Sequence, residues 1–271
     1  NMARKWSLAE ERKFRAELQK LYVAKNLTIE QVAFVLKIGP QTVFKRLKRL
    51  GFLSRRHLKP GFNNVRQDIL LPKRYSNNLA EFMGVMLGDG HLTRFQIVVT
   101  LGNKEKEYAD YVARLMSLVF GIEPKIIMRG GDKYRDVYFG STVVSKWLRR
   151  QGLVYNKVAS QVDAPSWIFK KKGYMKSFVR GFFDTDGSIY KLRSGQHQIS
   201  LTNRSIPLLK SLQSMVHTLD YNPSAISYYH VYLTRKKDLG RFAEEIGSSY
   251  PRKRKLLDKC VGRPVGGGSG L

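Results

Sequence analysis

The spacing of apolar positions changes period several times along this chain, and the changes divide it. Residues 7–25 carry helix-period apolar positions that open on Ser7 with Glu10 three places on, the pattern of a capping box. Thr28 opens a second, shorter helix that runs to Lys37. Ile38-Gly39 then reads as a tight turn, and Pro40 stands at the first position of a third helix ended by Gly51. Val43 and Leu47 share the inward stripe of that helix, which leaves Gln41, Thr42, Lys45 and Arg46 outside. Helix, turn and basic-faced helix over residues 7–53 form a helix-turn-helix pattern, with those four outward residues as candidate DNA contacts. The plainer alternative is a three-helix packing module with a solvated basic face.

Residues 54–74 lose the periodicity and gather Pro60, Gly61 and Pro72 among basic residues, including Arg55 and Arg56. They read as a basic linker that either tracks phosphates or stays solvated. From Leu79 to Leu256 the chain repeats itself weakly. Val99-Thr100-Leu101-Gly102-Asn103-Lys104 aligns with Ile199-Ser200-Leu201-Thr202-Asn203-Arg204, and Val137-Tyr138-Phe139 with Val231-Tyr232-Leu233. Each half, residues 75–165 and 166–259, reads as helix, two strands, helix, two strands, helix. The fold class is therefore α+β, two pseudo-symmetric αββαββα halves plus a small all-α N-terminal unit. Residues 260–271 form a tail whose Gly-Ser run reads as an added segment.

Strand-period alternation predicts two faces for each half. Phe95, Ile97, Val99 and Leu101 face a core, which turns Arg94, Gln96, Val98 and Thr100 outward. Lys125, Ile127, Arg129, Arg135 and Tyr138 are assigned to the outer face of the next hairpin. In the second half Ile199 and Leu201 point inward, and Arg193, Gln196, Gln198, Ser200, Thr202, Arg204, Tyr232 and Thr234 are the outward candidates. Arg and Gln match guanine and adenine edges, and a β-ribbon fits the major groove, so this surface reads as a groove-reading saddle.

Charge narrows the partner. The chain has 271 residues with 49 basic and 21 acidic side chains, a net +28. Residues 1–74 hold 18 basic against 5 acidic, so the excess is spread along the chain rather than placed in one tail. A field of this size suits a polyanion, most often nucleic acid. The single cysteine, Cys260, excludes an internal disulfide framework. No stretch reads as a signal or membrane segment, so the expected compartment is cytoplasmic, nucleoid-associated or organellar.

The candidate chemistry lies in two nine-residue stretches, Phe82-Met83-Gly84-Val85-Met86-Leu87-Gly88-Asp89-Gly90 and Val179-Arg180-Gly181-Phe182-Phe183-Asp184-Thr185-Asp186-Gly187. Small residues four apart, Gly84/Gly88 and Gly181/Thr185, open a stripe along which a second helix can approach closely. The closing glycine of each reads as a helix cap with positive φ. Asp89 and Asp186 then stand at helix ends already negative from the macrodipole. Two such carboxylates side by side repel, and a divalent cation shared with the carbonyl oxygens of Gly88 and Thr185 removes the conflict. An all-oxygen donor set selects Mg2+ or another hard cation such as Mn2+ or Ca2+. A calcium EF-hand is excluded, because Phe182 and Arg193 occupy places that need acids. Asp184, two residues before Asp186, points away from it as a structural or supporting acid.

The paired stretches resemble the two motifs of the LAGLIDADG homing endonucleases, with Asp89 and Asp186 in the acidic place. The resemblance covers about 180 residues and leaves the N-terminal unit outside. It implies a monomeric double-strand DNA endonuclease that hydrolyses a phosphodiester on each strand of a long asymmetric target, with the two aspartates binding metal. It also implies basic residues near the site, carried by position to Lys157 and Lys253, which act either on transition-state charge or as phosphate contacts. Family members often have Gln near Leu101 and Leu201; here both places are apolar. Two alternatives stay open: a non-catalytic DNA-binding regulator, and a maturase that grips intron RNA.

Overall fold

Helix α1 (Leu8–Leu18) runs on into a π-helical turn, Gln19–Ala24, so the first apolar stripe is one continuous element. Ser7, its expected cap, lies outside the residues that the computed structural model describes, which are 8–25, 27–52 and 69–262. Helix α2 (Ile29–Leu36) opens on a complete capping box: Thr28 Oγ1 accepts from Gln31 N (3.1 Å), and Gln31 Oε1 accepts from Thr28 N (2.8 Å). The reversal that follows falls on Lys37 (φ 50°) rather than on Gly39, which is extended and caps α3 (Pro40–Arg49) with Pro40 in its first turn. Leu18, Tyr22, Val32, Val43, Leu47 and Phe52 form a small separate core. The chain divides into two compact units at Val65/Arg66.

The second unit repeats one plan. In its first half α4 (Asn77–Leu87) leads to β1 (Gly90–Leu92), β2 (Gln96–Gly102), α5 (Lys106–Phe120), β3 (Lys125–Arg129), β4 (Tyr134–Gly140) and α6 (Thr142–Arg150). The strands form an antiparallel sheet in the order β1-β2-β4-β3. In its second half a 3-10 turn at Ser166–Lys170 precedes α7 (Lys172–Asp186), β5 (Gly187–Lys191), β6 (His197–Thr202), α8 (Ile206–Thr218), β7 (His230–Leu233), α9 (Lys236–Glu245) and α10 (Pro251–Cys260). This sheet is β5-β6-β7. The expected strand before β7 is reduced to one bridge, Ser227 to His230. There Ser224 Oγ, not a main-chain carbonyl, accepts from Tyr232 N (3.0 Å), and Pro223 has no N–H to offer a ladder.

The motif helices α4 and α7 pack along their small residues. A Cβ on Gly84 would collide with Phe178 O, one on Gly181 with Glu81 O, and one on Gly88 with the Thr185 side chain. Gly90 and Gly187 correct the capping expectation. Neither has positive φ; their added Cβ atoms would instead strike Met86 and Phe183. Glycine is needed there because the chain doubles back onto the helix it has just left.

Every residue of α4 from Leu79 to Leu87 is buried, Glu81 included. Its carboxylate accepts from Tyr111 Oη (2.7 Å) and Ser249 Oγ (2.8 Å) and pairs with Arg180 Nη2 of α7. A buried charge that loses its counter-ion keeps its desolvation cost. Arg180→Leu is therefore expected to lower unfolding free energy by about 3 kcal/mol, read from urea denaturation. No helix among the described residues is long and apolar enough to cross a membrane.

Candidate active site at the ends of the paired helices

Helix α4 ends at Leu87 and the chain turns through Gly88, Asp89 and Gly90, whereas α7 carries Asp186 as its last residue. Both acids are half-buried. Burial, Asp186 and Glu105 push Asp89 up to about 6. Burial also raises Asp186, against the pull of an Asn203 hydrogen bond and two lysines. Asn203 Nδ2 donates to Asp186 Oδ2 (2.9 Å), and its Oδ1 accepts from Ser205 N (2.9 Å), so the amide is fixed at both ends. Asn203 lies within the aligned repeat, but nothing in its spacing ties it to an acid.

Lys157 and Lys253 reach the two helix ends from unlike elements, a loop and the first turn of α10. Lys157 Nζ donates to Met86 O (3.2 Å), Leu87 O (3.3 Å) and Gly88 O. Lys253 Nζ has Phe183 O (2.7 Å), Asp184 O (2.8 Å), Thr185 O (3.2 Å) and Gly187 O (2.7 Å) within reach. An ammonium at a helix C-terminus neutralises the macrodipole and satisfies orphan carbonyls together. Burial lowers both lysine pKa values, and the aspartates oppose it. Gly88, Lys157, Asp186, Thr202, Asn203 and Arg204 line one cleft. The Thr185 hydroxyl is turned back to Gly181 O (3.1 Å) and Phe182 O (3.0 Å), leaving only its carbonyl for the site.

Asp184 is buried, accepts from the Ser248 hydroxyl and Ser249 N (2.8 Å), and is raised to about 7 chiefly by burial. It thus ties the segment before α10 to α7.

The sheet faces follow strand parity. Val98 and Lys125 both oppose Tyr138, and Thr100 and Ile127 both oppose Asp136, so one face holds Gln96, Val98, Lys125, Ile127, Arg129 and Tyr138. Asp136 is neutralised there by Arg129 Nε (2.9 Å) and Thr100 Oγ1 (2.8 Å). Arg135 must be corrected: it sits between Tyr134 and Asp136, shares the parity of Val137 and Phe139, and donates from Nε to Asn103 O (3.0 Å). Phe95 is another correction. It lies in the turn before β2 and is exposed, with Arg94 over its ring.

In the second sheet Gln198, Thr202 and Tyr232 share the outer face, and Arg193, Gln196, Arg204 and Thr234 are exposed around it. Ser200 has the expected parity but is buried, its hydroxyl 3.0 Å from His230 Nδ1 and covered by its neighbours. It offers no atom to a groove. The register adds His91, Tyr190 and His230 to these faces; sequence alternation misses them because it leaves the strand ends undefined. On α3, Gln41, Thr42 and Lys45 are exposed, while Arg46 lies half-buried over Phe14. Arg55 and Arg56 lie outside the described residues.

A 198-residue stretch is 28% identical to the replication factor C small subunit of Methanocaldococcus jannaschii, covering 69% of this chain and 10% of that protein. The DNA polymerase of Thermococcus hydrothermalis is 27% identical over 206 residues, covering 68% of this chain and 12% of that protein. The chain thus spans about a tenth of the length of these curated relatives. The homing endonuclease I-ApeI of Aeropyrum pernix is 29% identical over 99 residues, 35% of this chain and 44% of that protein. Among solved structures, I-DmoI in complex with DNA and Ca has a TM-score of 0.48 at 14% identity, over 68% of this chain and 97% of that one. The N-terminal LAGLIDADG domain of WhiA gives 0.46 at 19%, over 65% and 86%. Residues 173–247, which begin in α7 and include its terminal aspartate, match the family model of a LAGLIDADG-like domain.

Proposed function

We propose that this chain is a site-specific DNA endonuclease of the homing type. One observation carries the reading: two close-packed helices bring Asp89 and Asp186 near enough to act on each other's charge, Lys157 and Lys253 hold the carbonyls of the two helix ends, and a cleft opens on Gly88, Lys157 and Asp186. The outer sheet faces beside it hold Gln, Lys, Arg and Tyr side chains suited to phosphates and base edges. The relatives add support from a different direction. A replication factor subunit, a DNA polymerase, an aminotransferase and a helicase share no activity, yet each matches this chain over a small part of its own length. A mobile insertion would give this pattern of partial matches to proteins of different names.

The donor set fits a hard divalent cation. Asp89 and Asp186 supply carboxylates, Gly88 and Thr185 supply carbonyls, and no group of three or more His, Cys, Asp or Glu among the described residues offers a softer site. When bound, such an ion supplies charge neutralisation at a phosphate and a lower pKa for water. The chain's own residues do the rest. Asn203 fixes the Asp186 carboxylate, and Lys157 and Lys253 place two positive charges where a phosphodiester gains negative charge during hydrolysis. The N-terminal unit lengthens the contact through Gln41, Thr42 and Lys45, as a helix-turn-helix would. Lys45→Ala is expected to reduce the slope of log affinity against log salt by about 0.9, read by fluorescence anisotropy.

A second reading, a DNA-binding regulator without catalysis, has one observation in its favour: Gly88 O and Thr185 O already accept lysine ammonium groups. Incubation with a randomised duplex library and magnesium, followed by sequencing of new ends, separates the readings. Defined cut ends support the nuclease; enrichment without cutting supports the regulator. Neither outcome, with binding of structured RNA instead, supports the maturase.

A further inference from the structure

The turn that enters β7 is built from residues that its backbone disfavours. Ser227 O accepts from His230 N (2.9 Å) and His230 O from Ser227 N (3.0 Å), which closes a two-residue hairpin over Tyr228 and Tyr229. Both tyrosines are left-handed, at φ 45° and 66°. Such turns take Asn-Gly, Asp-Gly or Gly-Gly, because an L side chain at positive φ is strained. The related turn of the first half is made as expected, with Gly130, Gly131 and Asp132 as its left-handed residues (61°, 61° and 64°). The two turns hang from equivalent points, since Asn103 N donates to Lys133 O and Asn203 N to Tyr229 O, each at 3.1 Å. Nothing in the shared fold therefore asks for tyrosine.

Packing does not ask for it either. Tyr228 is 91% exposed and Tyr229 50%. Two large aromatic rings held in a strained turn and left in water contribute nothing to the core, and strain kept without a packing return points to use at a surface. Position says which surface. Asn203 joins Tyr229 through its main chain and Asp186 through its side chain. Thr202 pairs with His230, and Leu201 pairs with Gly187, the residue after Asp186. The turn therefore sits at the end of the second sheet that carries the acid.

We propose that Tyr228 and Tyr229 form an aromatic wedge that packs against the sugar and base surface of the duplex beside the strand Asp186 serves. The inference rests on the DNA-cleaving reading above and deepens it. An aromatic face gains contact energy from any base, and its insertion favours steps that unstack easily, so the wedge reads deformability rather than base edges. Because the first half has glycines at the related turn, that preference falls on one side of the target only, a source of asymmetry separate from the groove-reading side chains.

The test replaces the pair with the residues the turn prefers, Tyr228→Asn with Tyr229→Gly, in the full chain. Thermal unfolding and affinity for a random-sequence duplex pool are measured with EDTA present, and the bound fraction is sequenced. The variant is expected to melt higher than the parent, bind about tenfold more weakly, and lose base preference on one side of the enriched site. A variant that melts higher yet binds and selects as the parent does overturns the wedge and leaves the nuclease reading intact. A variant that melts lower overturns the strain argument, and a parent that binds no duplex overturns the nuclease reading itself. Tyr228→Ala alone, which keeps the turn's second residue, is expected to give the affinity loss without the full gain in melting temperature, so a failed double variant does not end the test.

Discussion

Asp186→Asn and Asp89→Asn are each expected to reduce double-strand cleavage at least about 1000-fold while duplex affinity changes less than about threefold, within the range ordinary for a change that touches no phosphate contact. The substitution keeps shape. In the Asp186→Asn variant the new carboxamide oxygen can still accept from Asn203 Nδ2, so the cleft and its lysines stay in place. What disappears is one negative charge of the pair that would hold a divalent cation. Stability gives an internal control, because the same change should not unfold the protein. Asp89 is raised from 3.8 to about 6 by burial first and by Asp186 next. With the folded pKa above the unfolded one, the native state binds the extra proton between those values. The stability this confers is fully present below about 3.8 and is lost as pH rises through about 6. Asp89→Asn removes that loss, so the pH dependence of unfolding measured in EDTA should flatten across this window. Inactivity with a flattened profile locates the defect in chemistry; inactivity with a lowered melting temperature would place it in folding. Retained double-strand cutting in either variant would overturn the assignment of the aspartates.

Much of this arrangement was legible because the sequence states it locally. Thr28 as a helix cap, Pro40 at a helix start, and the alternation of Ile97, Val99 and Leu101 each depend on residues within one element. The paired motifs were legible for a different reason: close helix approach forces small residues at fixed spacing, and two copies are hard to produce by chance. What the sequence hid depends on neighbours far along the chain. Arg135 and Tyr138 stand three apart, so they fall on opposite faces once their strand is known to run unbroken from Tyr134 to Gly140, a continuity that pairing with β2 and β3 supplies and the local sequence does not state. Ser200 keeps its face but loses its access to Tyr232 and His230, which arrive some thirty residues later. Gly90 and Gly187 look like caps, whereas their need is steric and visible only against Met86 and Phe183. The Asn203–Asp186 contact and the tyrosine turn obey no local rule at all.

Gly84→Ala is expected to destabilise the second unit by about 3 kcal/mol or more, although alanine is the better helix former. Two effects compete. Within a helix the change gains roughly 0.5–1 kcal/mol from propensity. Against this, the new methyl would meet Phe178 O and Phe182 N, main-chain atoms of α7 that no rotamer change can move. The helices must part along their length, and both are buried there, so the cost spreads over Phe82, Val85, Phe178 and Phe182 as well. Gly181→Ala meets Glu81 O and Val85 N from the other side and should behave alike. Gly240→Ala supplies the contrast. It lies in α9, and its added methyl meets only Val261 Cγ1, at 4.0 Å. With no clash the propensity gain stands alone, and this variant should be more stable by roughly 0.5–1 kcal/mol. Opposite signs for the same chemical change, read from the midpoints of urea unfolding, follow only if backbone contact between α4 and α7 holds the centre together. If Gly84→Ala proved as benign as Gly240→Ala, the helix ends would not be held near each other by packing. The nearness of the two helix ends, and every role assigned to their aspartates and lysines, would then lose its physical basis.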